Sequence, residues 1–109
     1  MKSTIKIREY DKIIIIDLPE FVNRGREDID LKSIFMEVIA KNKNVGVNLK
    51  TTAHIDCGIV FALLTAERNI QQSGKQLYVI GASAQVKELL AGASINQIIP
   101  FINDEKDLL

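Results

Sequence analysis

His54, Asp56 and Cys57 fall within four consecutive positions, and each is a residue type that can move a proton, bind a metal or attack an electrophile. A Cys–His–Asp centre needs base and nucleophile aimed at each other, normally from converging segments. In an extended segment, side chains two apart share a face, so His54 orients with Asp56 and away from Cys57. The chain has one His and one Cys, too few ligands for a typical zinc site. Its six glycines follow neither P-loop nor dinucleotide spacing, so no nucleotide site of that type is expected. We expect no catalytic residue, no metal and no cofactor.

The position of Asp56-Cys57 is more informative than its reactivity. The β-branched run Val45-Gly46-Val47-Asn48-Leu49 precedes it and a helical pattern follows from about 57 to 73. Asp at such a junction suits a helix N-cap, its carboxylate accepting from the first free N–H groups. The next residue then sits at the positive end of the helix dipole, a place for a switchable residue. That terminus favours a thiolate, which makes redox sensing by Cys57 one reading. The preferred alternative is a small, inert thiol, because no cationic residue adjoins Cys57 in sequence to support a thiolate. Thr51 and Thr52 just upstream are further candidate phosphate acceptors, although ordinary turn threonines are the simpler reading.

Two faces emerge along this second helix. Ile59, Val60, Leu63, Ala66 and Ile70 form an apolar stripe assigned to the core. Cys57, Phe61, Thr65, Arg68 and Gln72 recur at three or four residues on another face, polar except at its start. Cys57 and Phe61 thus stand one turn apart. An exposed aromatic beside a small side chain is a candidate docking spot, since aromatics are enriched at interfaces. The competing reading tucks Phe61 beneath the 19–27 loop.

The elements that must hold this junction follow from the periodicity. Residues 4–8 alternate and 12–18 are isoleucine-rich, which predicts neighbouring strands, the second covered on both faces. Pro19 stops the second strand, and a polar loop with Arg24, Arg26, Glu27 and Asp28 follows. Leu31, Ile34, Phe35, Val38 and Ile39 predict a helix capped by Asp28 or Asp30. After the second helix, Gly74 suits a C-terminal cap. A strand is expected over 77–80, and a helix capped by Ser83 with Val86, Leu89 and Leu90 inward. A last strand over 98–102, weakened by Pro100, and a brief terminal helix from 104 complete the chain. Strands mostly alternating with helices predict an α/β domain over residues 1–109, with a mixed four- to five-stranded sheet and helices packed on it.

Bulk properties bound the function. Fourteen Lys and Arg balance fourteen Asp and Glu in 109 residues. Nucleic acids and anionic membranes favour basic surfaces, so neither is the expected partner. A single Cys suits a reducing cytosol, the apolar runs are too short to span a bilayer, and the N-terminus lacks a signal-peptide core.

At this point the chain resembles a family, the STAS domain of bacterial anti-sigma factor antagonists. That pattern has a hydrophobic strand, then D-S-S-G-L-G, a helix ending in Gly, a strand, a Ser-capped helix with V-x-x-x-L, and a hydrophobic-Pro segment. Here the matching residues are Ile55-Asp56-Cys57-Gly58, Leu63-Leu64, Gly74, 77–80, Ser83, Val86, Leu90 and Ile98-Ile99-Pro100. The first 44 residues match in element order, with a longer 19–27 loop. The resemblance implies that Asp56 holds the motif Asp and Cys57 the position of the phosphate-accepting Ser. Gly58 stands at the second Ser, while Ile59 and Phe61 replace the two glycines. It further implies a non-catalytic cytoplasmic regulator that docks an anti-sigma factor or related ATP-binding serine/threonine kinase; together with the second face of the helix, this makes Asp56, Cys57, Gly58, Phe61 and Arg68 the expected binding residues. In the family, phosphorylation adds negative charge at the interface and releases the partner; a thiol there disables that switch. Alternatives within the resemblance are an accessory subunit of a signalling or membrane-transporter complex. A homodimer is compatible with either.

Overall fold

Strand formation starts with the isoleucine block Ile13–Ile16, which is buried throughout. In the computed structural model, which describes residues 5–20 and 27–109, it forms β2 (Ile13–Asp17), paired antiparallel with β1 (Lys6–Glu9). The chain continues through α1 (Glu27–Ile39), β3 (Asn44–Asn48), α2 (Cys57–Gln72) and β4 (Leu77–Ile80). It ends with α3 (Ala84–Gly92), α4 (Ile95–Ile98), β5 (Phe101–Ile102) and a single 3₁₀ turn (Glu105–Asp107). The five strands lie in the order β1-β2-β3-β4-β5, with every pair after the first parallel. This is the mixed five-stranded α/β sheet that the alternation of elements predicts.

Alternation along the strands divides the two faces. Ile14, Val45 and Leu77 lie in one row, Ile16, Val47 and Val79 in the next, all in the main core beneath the helices. α1 supplies Leu31, Phe35 and Val38, α2 supplies Ile59, Leu63, Ala66 and Ile70, and α3 supplies Val86 and Leu90. The opposite face carries Ile13, Ile15 and Ile80, covered by Ile102 and Leu108 from the end of the chain. Both faces of β2 are therefore dry, which is why its sequence reads as an unbroken apolar run.

An ion-pair hub holds that second cover in place. The Arg8 guanidinium donates Nε and Nη2 to Asp17 at 2.7 and 2.8 Å, and Nη1 and Nη2 to Glu105, both at 2.8 Å. Asn48 Nδ2 adds a bond to Asp17 at 2.7 Å, so three strands and the 3₁₀ turn meet at one cation. Burial pushes the Asp17 carboxyl up, but its bonds from Arg8 and Asn48 outweigh this and hold it below the ordinary range. The bonds from Arg8 hold the Glu105 carboxyl down as well. At the other end of the hairpin, Lys41 and Lys43 grip Glu9 at 2.7 and 2.9 Å and lower its carboxyl to about 2.

Helix ends follow local chemistry. Ser83 accepts from Val86 N at 3.2 Å, capping α3 as expected. Gly74 adopts φ +80 after α2, with Gly74 N bonded to Gln71 O at 2.9 Å and Lys75 N to Ile70 O at 3.1 Å. That is the paired Schellman pattern, and it explains why glycine stands there.

Four expectations need correction. The strand over 98–102 shrinks to Phe101–Ile102, because Ile95–Ile98 forms α4 and Ile99 N bonds back to Ile95 O at 2.8 Å. Pro100 has no N–H to give, and joins the ladder only through its carbonyl, which accepts from Val79 N at 3.0 Å. α1 begins at Glu27, so Asp28 and Asp30 lie inside its first turn and neither is the cap. Leu89, expected in the core, is 43% exposed, and Val60 packs against the main core from its edge, half-buried and not enclosed. Arg24 and Arg26 of the polar loop lie outside the described residues.

Replacing Arg8 with Met should cost about 1–2 kcal/mol at neutral pH, discounted for the partial exposure of the guanidinium. Carboxyls whose folded pKa values are depressed stabilise above the unfolded value near 4 and lose that contribution as pH falls through the folded values. The difference between wild type and Arg8→Met should therefore shrink steadily below about pH 4. Chemical denaturation across pH 2–7 measures it; a pH-independent difference would contradict the role given to the hub.

Candidate functional site

The junction is built by two loops that leave the carboxyl ends of β2 and β3 side by side. Leu18 N bonds to Asn48 O at 3.2 Å, and Ala53 N reaches Glu20 O at 2.8 Å. Between them, the Thr52 hydroxyl donates towards Pro19 O at 2.9 Å and lies 3.3 Å from Leu18 O. Thr52 is only 2% exposed, so it clasps the two loops and offers no accessible hydroxyl; Thr51 beside it is exposed. Ile55 is buried in the main core and anchors the segment from below.

Asp56 then starts α2 from extended backbone at φ −110 and ψ 179. Its Oδ1 accepts from Ile59 N at 3.1 Å, the expected N-cap bond. Its Oδ2 is buried and makes no hydrogen bond among the described residues. No acidic residue occupies the first turn of α2, so Asp56 is the carboxylate that faces the positive helix end. Cys57 is exposed and Gly58 half-buried. Phe61 is 65% exposed, so its ring stands in solvent one turn beyond Cys57 and is not tucked under the described part of the 19–27 loop. Thr65, Arg68 and Gln72 continue along the same face, all exposed, and Arg68 makes no ion pair among the described residues. Four of the five expected site residues, Asp56 to Phe61, thus cluster in the first helical turns, with Arg68 two turns on.

His54 does not join this group. It is exposed and lines a depression of about 350 Å³ with Gln85, Glu88 and Leu89 of α3. No hydrogen bond links it to Cys57 among the described residues, and no cluster of three potential metal ligands occurs among them. Two features escaped the sequence reading. The Thr52 clasp has no periodic signature, because its partners are backbone carbonyls more than thirty positions away. A second buried carboxylate, Glu67, lies on the core side of α2, and burial pushes its carboxyl up against an opposing bond at Leu77.

The sequence pattern of the STAS domain matches residues 4–108, nearly the whole chain. The chain belongs to the STAS domain family. Among solved structures, this STAS domain is similar to a candidate anti-sigma factor antagonist from Thermotoga maritima, at TM-score 0.83 and 18% identity over 95% of this chain and 90% of that one. An anti-sigma-factor antagonist (STAS) domain protein from Planctomyces limnophilus superposes at TM-score 0.83, 16% identical over 95% and 93% of the two chains. The Bacillus cell fate determinant SpoIIAA in its phosphorylated form gives TM-score 0.77 and 9% identity over 96% of each chain. No curated protein matches the sequence significantly. At these identities the superpositions establish a shared fold. No described helix of the STAS domain is long and apolar enough to cross a membrane.

Removing the cap tests how far the junction depends on Asp56. Asp56→Ala should destabilise the domain by about 1 kcal/mol, and Asp56→Asn or Asp56→Ser by a few tenths only. Thermal unfolding of the three variants checks this; equal losses in all three would mean that charge, not capping, is what Asp56 contributes.

Proposed function

We propose that this STAS domain is a non-catalytic cytoplasmic regulator that docks an anti-sigma factor or related ATP-binding serine/threonine kinase through residues 56–61, with Arg68 as a further contact. The observation that carries the reading is Phe61, an aromatic side chain 65% exposed on a helix whose other large apolar residues are covered. A solvated ring beside an exposed small side chain matches the anatomy of an interface anchor. The fold-level neighbours named as anti-sigma factor antagonists support the partner class, and one of them, SpoIIAA, exists in phosphorylated and unphosphorylated forms.

Cys57 gives the proposal its particular character. A phosphate at the start of α2 would add about −1.5 to −2 charges where a partner docks. A thiol is not an ordinary acceptor for a serine/threonine kinase, so Cys57 keeps this position free of phosphate and the docked state permanent. Thr52 cannot substitute, being clasped and buried.

Two outcomes follow. Phe61→Ala should weaken binding to the partner kinase by roughly tenfold or more, a loss of about 1.4 kcal/mol or above, while leaving the unfolding temperature unchanged. Titration calorimetry and thermal unfolding read the two separately; a large drop in stability with retained binding would overturn the docking role. Incubated with that kinase and ATP, the wild-type domain should keep its mass, whereas Cys57→Ser should gain a single phosphate. A stoichiometric phosphate on the wild type would defeat the proposal that the switch is fixed.

A further inference from the structure

One buried ionisable group takes no part in the helix start. Glu67 lies on α2 and is only 3% exposed. Carboxylates are almost never buried that deeply without a paired cation. Among the described residues no ion pair includes Glu67. Its Oε1 is sealed from solvent and makes no hydrogen bond there. Its Oε2 accepts one long bond, from Gln76 Nε2 at 3.5 Å. Gln76 is held where it is, because the same nitrogen donates to Leu77 O at 2.8 Å and the Gln76 backbone N–H donates to Asn44 Oδ1 at 3.0 Å.

A negative charge on Glu67 would therefore meet almost nothing that favours it. β4 presents Leu77 and Val79 to the core and turns Tyr78, its titratable side chain, to the opposite face. Lys75, on the turn before β4, is half-buried and forms no ion pair among the described residues. Lys32 and Glu37 of α1, Lys87 and Glu88 of α3 and the adjoining Arg68 are all exposed, and Asp30 of α1 is half-buried. None of these is bonded to Glu67. Burial thus dominates and pushes its carboxyl up, opposed by a backbone bond at Leu77. An unpaired charge in such surroundings is costly, whereas a neutral carboxyl carries only the smaller cost of an imperfectly bonded polar group.

We propose that the contact of Glu67 with Gln76 and Leu77 is a proton-responsive joint between α2 and β4: the neutral carboxyl closes it, and loss of the proton to water loosens the last turns of α2 and the start of β4. Lys75 N bonds back to Ile70 O at 3.1 Å, so the helix end and the turn into β4 respond together. The joint lies on the core side of α2, away from residues 56–61, and does not depend on what docks there. Its sign is fixed by the burial of the acid. With the folded value raised, the contribution of Glu67 is whole below the unfolded value near 4 and is lost as pH rises through the folded value. The Arg8 hub runs the other way, since its depressed carboxyls lose their contribution in acid.

Three measurements on the full chain test the joint. In the wild type, carbon-detected NMR follows the Glu67 carboxyl carbon, which should titrate above the ordinary Glu value of about 4.3. Chemical denaturation from about pH 4 to 9 compares the wild type with Glu67→Gln, which keeps the shape and cannot ionise. The variant should gain on the wild type as pH rises, by at most roughly tenfold in the folding equilibrium constant per pH unit, the limit for one proton. Amide exchange, corrected for its intrinsic pH dependence, should accelerate with pH over residues 67–77 of the wild type but not of the variant, and stay constant over 59–63 in both. A pH-independent difference between the two proteins would overturn the proposal. So would a Glu67 carbon that titrates at or below the ordinary value, a result that needs no variant to fold. Exchange rising equally along the whole of α2 would also defeat it, because no joint would then be distinct from unfolding of the domain.

Discussion

Everything in this domain depends on a constraint of handedness. β2, β3, β4 and β5 are parallel neighbours in sequence order, and parallel crossovers are almost always right-handed. Successive crossovers running in one direction across a sheet must then place their helices on the same face. The core shows that result: α1, α2 and α3 all pack on the face made by Ile14, Ile16, Val45, Val47, Leu77 and Val79. The other face of β2 is left with Ile13 and Ile15 and needs a second cover. The segment after β5 supplies it through Leu108, and the Arg8 fork to Asp17 and Glu105 pins that segment across the sheet. Gly46 belongs to the same solution, because a Cβ there would come within 2.6 Å of the Ile80 side chain on the covered face.

The same constraint positions the site. Parallel strands end at one edge of the sheet, so the loops after β2 and β3 emerge together and can be clasped by one buried threonine. Asp56 inherits a fixed starting point, caps α2, and projects Cys57 and Phe61 outward while Ile59 and Leu63 point into the core. Parallel crossover helices also leave α1 and α2 lying beside each other.

Much of this was legible in the sequence, and the boundary is instructive. The doubly buried β2, the Asp56 and Ser83 caps and the Gly74 turn are local: each depends on a short-range pattern, so the residues announce them. Failures arise where a local signal competes with a distant one. Pro100 marks a break, but α4 forms because Ile95 and Ile99 are drawn into the core by the helices above β4. Leu89 looks inward by spacing, yet the narrow contact of a nine-residue helix is already filled by Val86 and Leu90. Arg8 and Glu105 are 97 positions apart, and nothing in either neighbourhood predicts the pairing. The Phe61 ring was ambiguous for a related reason, since helical spacing assigns a face without saying what covers it.

The chemistry at position 57 turns on which property of a serine a cysteine preserves. Sulfur is a weaker hydrogen-bond partner than oxygen, but the cap of α2 does not use it: Asp56 supplies the accepting oxygen from outside the helix. Replacing a hydroxyl with a thiol at the exposed first position therefore leaves the fold undisturbed. Serine at the same position would also leave the fold unchanged while adding a site where two negative charges could be written next to the Asp56 carboxylate. Such charges would be favoured by the helix dipole by only about 0.3–1 kcal/mol, too little to control folding, although under the proposed docking role they would lie beside the exposed Phe61 ring. Structure and the proposed regulation are thus separable at this junction: the aspartate caps the helix, and the exposed residue after it takes no part in the cap.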